Sequence, residues 1–494
     1  MKASVMTLAM NSGAMQLHAA PIKAPTTTRS LRLLAVLASA VVLGGCASFS
    51  PDGGFAAVEK TAKDRLGKDV QWARSDADQD IIAKRVSELL SKPLTVDDAV
   101  QVALLNNRGL QATFQELGIS EADLVQAGRL PNPGFSCGRM SRGDEREIER
   151  GLHFNIARLI AMPFIGQMEA RRFEQTKGMV AMSVLSLAAD TRKAYYNALA
   201  AEETVRYLRQ VKQAADASAE LARRMEQVGN FTKLQRAREQ VFYADAAQNL
   251  ARAEQAQRSS RERLTRLLGA WGPQTQFTLP ERLPDLPKDV MDLPDIERVA
   301  MAQRLDVQGA KLAAEQTARN LGLTRTTRFV NVLELGVLRN SSNEAPTLRG
   351  WEIGFELPLF DWGGARVARA EAVYMQTLHR AAETAVNARS EVREAYTGYR
   401  SAYDIARHQR DEVVPLNQRI AEENVLRYNG MLIGVFELLV DARTQIASVN
   451  AAIDAQRDFW LAEADLDMAL IGKPSMTTMT APNTPMNAGS GEAH

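Results

Sequence analysis

The sequence predicts a mainly α-helical protein made of two structural repeats. Each repeat holds a very long, rod-forming helix and a pair of short strands of the kind that build a membrane β-barrel. Three observations carry this expectation. Four landmarks recur in order at a near-constant offset. Two stretches of about 64 residues carry a heptad-like seam of apolar and small residues. Between them lie short runs that alternate apolar with polar or small residues, the period of a strand.

The repeat is read first, because missing one miscalls the fold. Arg192-Lys193-Ala194-Tyr195 returns as Arg393-Glu394-Ala395-Tyr396, 201 residues later, and Gly229 returns as Gly430 at the same offset. Leu268-Gly269 returns as Ile471-Gly472 after 203 residues, and the strand-like run at Gly151 returns at Gly350 after 199. The halves span 93–290 and 291–472, joined by the stretch that holds Pro280, Pro284, Pro287 and Pro294. Each half reads helix, two short strands, long helix, tight turn, helix.

The first rod runs from about Phe164 to Gln227, with seam positions Val184, Leu187, Thr191, Ala194, Ala198, Ala201, Val205 and Leu208. The seam continues through Ala215, Ala219 and Ala222, with Lys212 interrupting it. At 1.5 Å per residue such a helix is roughly 95 Å long, beyond the span of an ordinary globular domain. The second rod runs from about Ala365 to Arg427, and Pro415 predicts a kink in it.

The clearest strand is Gly350-Trp351-Glu352-Ile353-Gly354-Phe355-Glu356-Leu357, with Trp351, Ile353, Phe355 and Leu357 on one face. In the first half Leu152, Phe154 and Ile156 alternate with Gly151, His153, Asn155 and Ala157. Weaker partner strands fall at about 134–140 and 329–338. Strands of about 9–11 residues with an apolar outer face are the transmembrane barrel pattern. Four strands per chain cannot close a barrel. Two chains would give eight strands, whose interior fills with side chains. Three would give twelve, the smallest plausible open pore, so the barrel reading implies an oligomer.

Residues 1–45 read as an address. Arg29 and Arg32 precede an 11-residue apolar run, Leu33 to Leu43, too short to span a bilayer but right for a signal peptide. The run ends in Leu43-Gly44-Gly45-Cys46, which resembles the bacterial lipoprotein box, with Cys46 as the lipidated residue. The alternative is an ordinary signal peptide with an incidental Cys. Ala47, in place of the Asp that holds lipoproteins at the inner membrane, points to the outer membrane. Residues 46–92 form an N-terminal extension. No later segment has about 18 uninterrupted apolar residues, so a membrane-crossing part must be a closed barrel.

These features together resemble the TolC-like outer-membrane efflux family over about 93–472. Arg129-Leu130-Pro131-Asn132-Pro133 resembles the family's approach to the barrel. Leu357-Pro358-Leu359-Phe360-Asp361-Trp362-Gly363-Gly364 resembles its strand-to-rod corner. Arg304-Leu305-Asp306 resembles a family Arg-Pro-Asp, with Leu305 in place of Pro. Tyr428-Asn429-Gly430 with Glu437-Leu438-Leu439-Val440-Asp441-Ala442 resembles the tip turn and the helix after it. The resemblance implies a homotrimer in the outer-membrane lipid, with a twelve-stranded barrel and a twelve-helix coiled-coil periplasmic tunnel. It also implies a periplasmic adaptor and an inner-membrane pump as partners at the tunnel tip. Many members carry two acidic residues three apart at the narrow exit. Here Glu437 matches the first, Val440 stands at the second, and Asp441 follows. Glu437 and Asp441, four apart, share a helix face and are the candidate pore gate. The alternative is an exposed helix start, where acidic side chains suit the dipole. The tip turns, Gly229-Asn230-Phe231 and Gly430-Met431-Leu432 with Gly434, are candidate adaptor-docking surfaces. The alternative is packing against the neighbouring hairpin.

Composition narrows the chemistry. Lys plus Arg is 60 and Asp plus Glu 59, so no basic excess exists to neutralise nucleic-acid phosphates. Two Cys exclude a disulfide framework and a Cys-rich zinc module. No phosphate loop, nucleophile elbow or metal-ligand pair at helical spacing is present, so neither an enzyme nor a cofactor is expected. Cys137-Gly138-Arg139-Met140 reads as barrel packing rather than a soft-metal site. The tail, 473–494, is rich in Pro, Thr, Ala and Gly and reads as disordered. Its Met476, Met479, Met486 and His494 are Cu(I)-compatible ligands, though a solvated tail is the plainer reading. The expected function is the passive outer-membrane exit duct of a tripartite efflux pump, for metal ions or drugs. The alternative is a periplasmic coiled-coil lipoprotein scaffold without a pore, which leaves the alternating strands idle.

Overall fold

The computed structural model describes residues 48–327, 333–355 and 359–474. Cys46 and the tail residues Met476, Met479, Met486 and His494 lie outside them, as does Leu357. Four helices come first: α1 (Phe55–Leu66), α2 (Asp76–Leu90), α3 (Val96–Asn106) and α4 (Arg108–Ala127). The hairpin β1 (Gly134–Arg142) and β2 (Glu145–Asn155) follows, then the rod α5 (Ile156–Gln227) and its return helix α6 (Lys233–Leu268). The second half repeats the order. It has α7 (Ile296–Gln303), α8 (Leu305–Thr327), the hairpin β3 (Leu333–Ser342) and β4 (Leu348–Phe355), α9 (Gly364–His408), α10 (Val414–Asn429) and α11 (Val435–Ile471).

The first rod is one uninterrupted helix of 72 residues. It begins eight residues before the expected Phe164, because Asn155 caps it: its Oδ1 accepts from the Arg158 amide at 2.8 Å. Ile156 and Ala157, expected at a strand end, are therefore its first turn, and Pro163 lies inside it. Of the seam, Val184, Thr191, Ala194, Ala198, Val205, Leu208, Ala215 and Ala222 are buried. The second rod is interrupted where Pro415 predicts a disturbance. A π-helical turn, Gln409–Val413, separates α9 from α10, and Pro415 is the second residue of α10. The proline lacks the amide that would reach four residues back, and its ring crowds that carbonyl, so the wider turn accommodates it.

The recurring Arg-x-Ala-Tyr landmark has a common use. Tyr195 is buried and its hydroxyl donates to the Leu94 carbonyl at 2.9 Å, fixing the start of the first repeat. Tyr396 donates to Asp292 at 3.1 Å, and Tyr403 to the Pro287 carbonyl at 3.1 Å, fixing the linker at the start of the second. The halves meet along α5 and α11. There Lys193 and Asp465 form a buried ion pair at 2.8 Å, and Tyr196 stacks on Trp460 with ring centroids 5.4 Å apart.

The four strands form one antiparallel sheet in the order β1-β2-β3-β4, with β1 and β4 at its edges. The two hairpins thus pair across β2 and β3, Leu152 opposite Val337 and Phe154 opposite Leu335. Among the described residues no helix is long and apolar enough to cross a membrane.

Candidate functional site

The register assigns every strand residue to a face. One face carries Phe135, Leu152, Val337 and Trp351 in a single cross-strand row, then Phe154, Leu335 and Ile353, then Leu333 and Phe355. Trp351, Ile353 and Phe355 are 73%, 53% and 62% exposed, so an apolar surface is left open. Large open apolar patches mark partner or membrane contact. The end of the sheet with the connections to the helices continues it: Leu359, Phe360 and Trp362 are also exposed.

The opposite face is acidic and finely divided. Glu145, Glu147 and Glu149 of β2 lie on it with Glu334 of β3 and Glu352 of β4, among Gly151, Gly336, Gly350 and Gly354. A chain of polar contacts crosses the sheet here. Ser136 Oγ lies 2.9 Å from His153 Nε2, and His153 Nδ1 lies 3.3 Å from Glu352 Oε1. Glu352 reaches His153 over Gly336, where a Cβ would sit 2.6 Å from the Glu352 side chain. Sequence reading missed most of this face. Glu145-Arg146-Glu147-Ile148-Glu149-Arg150 looks like a charged loop until its pairing with β1 and β3 is known. The alternation of Glu with Arg or Ile was the signal available.

At the far end of the rods the two tips differ. In the first, Gly229 takes a left-handed conformation, φ +82°, and closes α5 with the Asn230 amide donating to Met225. Thr232 and Gln235 then form a capping box that starts α6. In the second tip the sequence analogy puts the turn at Gly430, but Gly430 has φ −81° and the left-handed residue is Met431, φ +57°. Met431 and Leu432 are 94% and 77% exposed, and Phe231 is half-buried. Just beyond, Glu437 is exposed in the first turn of α11. Asp441 is half-buried and accepts a hydrogen bond from Asn424 Nδ2 of α10. The two carboxylates are thus on one helix but differently engaged, Asp441 turned to its neighbour and Glu437 to solvent.

Two further carboxylates carry shifted protonation. Burial pushes Glu463 of α11 up to about 7, with Asp467 one turn on adding to the shift and Arg192 opposing it. Asp467 is itself raised by burial, against the pull of Arg192 at 3.1 Å. Among the described residues no three His, Cys, Asp or Glu side chains converge as a metal site.

The architecture, two hairpins sharing one four-stranded sheet and each leading into a helical rod, is a fold seen in solved outer-membrane channels. The chain is similar in structure to the Campylobacter jejuni CmeC outer-membrane channel, with 17% identity, TM-score 0.65 and coverage of 76% of this chain and 85% of that one. It is also similar to the open state of the Neisseria gonorrhoeae MtrE outer-membrane channel, with 18% identity, TM-score 0.63 and coverage of 77% and 91%. In sequence it is 25% identical over 280 residues to the cobalt-zinc-cadmium resistance protein CzcC of Cupriavidus metallidurans, covering 54% of this chain and 64% of that protein. The alignment therefore spans just under two thirds of the curated relative's length. No family model matches the chain.

Proposed function

We propose that the chain is the outer-membrane channel component of a tripartite efflux pump, a passive duct from periplasm to exterior rather than an enzyme. The observation that carries this is the two-faced sheet: apolar and exposed on one side, acidic on the other, and continuous with the helices at one end of its strands only. Four such strands leave two open edges per chain, and three copies side by side give a twelve-stranded barrel. The rods then form the periplasmic tunnel, and the tips Gly229-Asn230-Phe231 and Gly430-Met431-Leu432 with Gly434 meet the adaptor and pump. Cys46 carries the lipid anchor; Cys46→Ala is expected to abolish acyl labelling, and unchanged labelling would refute the assignment.

Metal cations are the cargo class that the site supports best. The inner face of the sheet is lined by Glu147, Glu149, Glu334 and Glu352, and like charges gathered around a pore attract cations. The name of the relative CzcC supports the same class. Glu437 is the outward carboxylate of the proposed gate, and Asp441 anchors its helix as well as adding charge. The test is single-channel conductance of the full chain in a planar bilayer. The Glu437→Ala, Asp441→Ala double variant is expected to conduct more, select cations less and lose block by trivalent cations. Wild-type conductance and selectivity in an intact oligomer would place the gate elsewhere. A wild-type protein that forms no channels would remove the channel reading itself.

A further inference from the structure

We infer that the apolar face of the sheet ends in a binding site for the phosphates of anionic lipid headgroups, built by Arg150, Arg339 and Arg349. The three are directly paired across β2, β3 and β4, Arg150 opposite Arg339 and Arg339 opposite Arg349. They occupy the row next to Leu152, Val337 and Trp351 on the same face, two residues nearer the hairpin turns. Arg139 of β1 lies one row further, opposite Ile148. All three of the central arginines are exposed.

Like charges directly opposite in a sheet are destabilising, so this row calls for a counter-charge. Among the described residues no strand carboxylate lies on that face. Five of the sheet's carboxylates, Glu145, Glu147, Glu149, Glu334 and Glu352, are on the other face. The polar contact found for the row is Arg150 Nη1 to Ser341 Oγ at 3.4 Å. Charge is therefore sorted by face: the described strand carboxylates lie inside, and of the strand arginines all but Arg142, which is opposite Glu145, lie outside. The apolar rows beside the arginines place them at the margin of any hydrocarbon layer the sheet enters. The rods leave the opposite end of the strands, so the margin is that of the leaflet facing away from the rods. A guanidinium fork held at that depth matches a phosphate oxygen pair. Three forks in a row, at strand spacing of about 4.8 Å, fit a headgroup with more than one phosphate.

This assignment rests on the reading that the sheet spans the outer membrane, and the experiment separates the two. Full-chain protein is placed in phosphatidylcholine nanodiscs, alone or with bisphosphorylated lipid A or its dephosphorylated form. Lipid retention is measured by native mass spectrometry. Wild type is expected to retain the bisphosphorylated form at least about tenfold better, the value of one charge-assisted pair. Arg150→Gln, Arg339→Gln, Arg349→Gln should erase that preference and still insert. Glu147→Gln, Glu149→Gln, on the inner face, should keep it. Millimolar inorganic phosphate should not displace the lipid. Displacement would reduce the row to a free-anion site, and equal retention of both lipids by wild type would overturn the assignment alone. Failure of wild type to enter phosphatidylcholine nanodiscs would overturn the membrane-spanning reading and the lipid site with it.

Discussion

At the helix–helix corner of the first repeat stands Asn107; at the matching corner of the second stands Arg304. Asn107 caps α4 through its Oδ1, 3.0 Å from the Leu110 amide, and its Nδ2 donates to the Leu267 carbonyl of α6 at 2.9 Å. Arg304 is 1% exposed. It holds Asp306 of α8 through two nitrogens, at 3.0 and 2.7 Å, and Glu391 of α9 at 2.7 Å. It also donates to the Ala469 carbonyl of α11 at 3.3 Å. One neutral amide ties two helices in the first repeat, while one buried cation ties three in the second. Duplicated architecture therefore does not require duplicated chemistry. The corner has only to satisfy the open helix ends that meet there.

The largest expected effect breaks that comparison directly. Arg304→Met should cost about 3–5 kcal/mol, because it strands two part-buried carboxylates. Asn107→Ala should cost about 1 kcal/mol, the value of a helix cap. Denaturant midpoints of the detergent-solubilised protein measure both. Glu391→Gln added to Arg304→Met should recover part of the loss. Equal midpoints for the two single variants would show that the second corner is no more than a cap.

The two faces of the sheet come next. Ile353→Arg is expected to cost about 2–4 kcal/mol if that face enters hydrocarbon, read as lost assembly or insertion. On the other face Glu352→Arg would break the contact with His153 and put a bulkier guanidinium over Gly336. Glu352→Gln is the fair control and should insert normally. Equal insertion of Ile353→Arg and Glu352→Gln would mean that the apolar face meets something other than lipid.

How much of this was legible depended on how local the cause is. The rods, the β4 alternation and the disturbance at Pro415 each follow from residues within a few turns of one another, and the doubled order from the recurrence of such local patterns. Their positions could be read directly. The register of β2 could not, because its Glu/Arg pattern gains meaning only beside β1 and β3. The role of Arg304 was hidden for the same reason: Glu391 is 87 residues away. Burial of Glu463 depends on packing across the two halves. The second tip misled differently. The repeat predicts equivalent turns at Gly229 and Gly430, yet the left-handed position moves by one residue to Met431.

A smaller effect is confined to one pH window. Glu463 is raised in the folded protein to about 7, chiefly by burial. The folded state thus holds its proton more tightly than the unfolded chain does. Its contribution is fully present below the unfolded value of about 4.3 and is lost as pH rises through 7. Stability of the α5–α11 contact should fall across that interval, and Glu463→Gln should flatten the fall. A wild-type midpoint that rises from pH 5 to 7 in step with the variant's would sink this assignment.

The smallest effects set the two tips against each other. A non-glycine residue in the left-handed region costs of order 1 kcal/mol, and Met431 bears that cost where 94% of it faces solvent. Burial in the free chain does not offset it, which fits the docking role proposed for this tip. Gly229 occupies the equivalent conformation without strain. Met431→Gly should therefore raise stability by up to about 1 kcal/mol while weakening capture by the proposed adaptor. Gly229→Ala should lower stability by a similar amount and, by keeping its side-chain surface small, leave capture largely intact. The measurement pairs a melting curve with adaptor pull-down for both variants. If Met431→Gly binds adaptor as well as wild type, the exposed Met-Leu turn is not the docking surface. The strain at residue 431 would then serve only to turn the chain into α11.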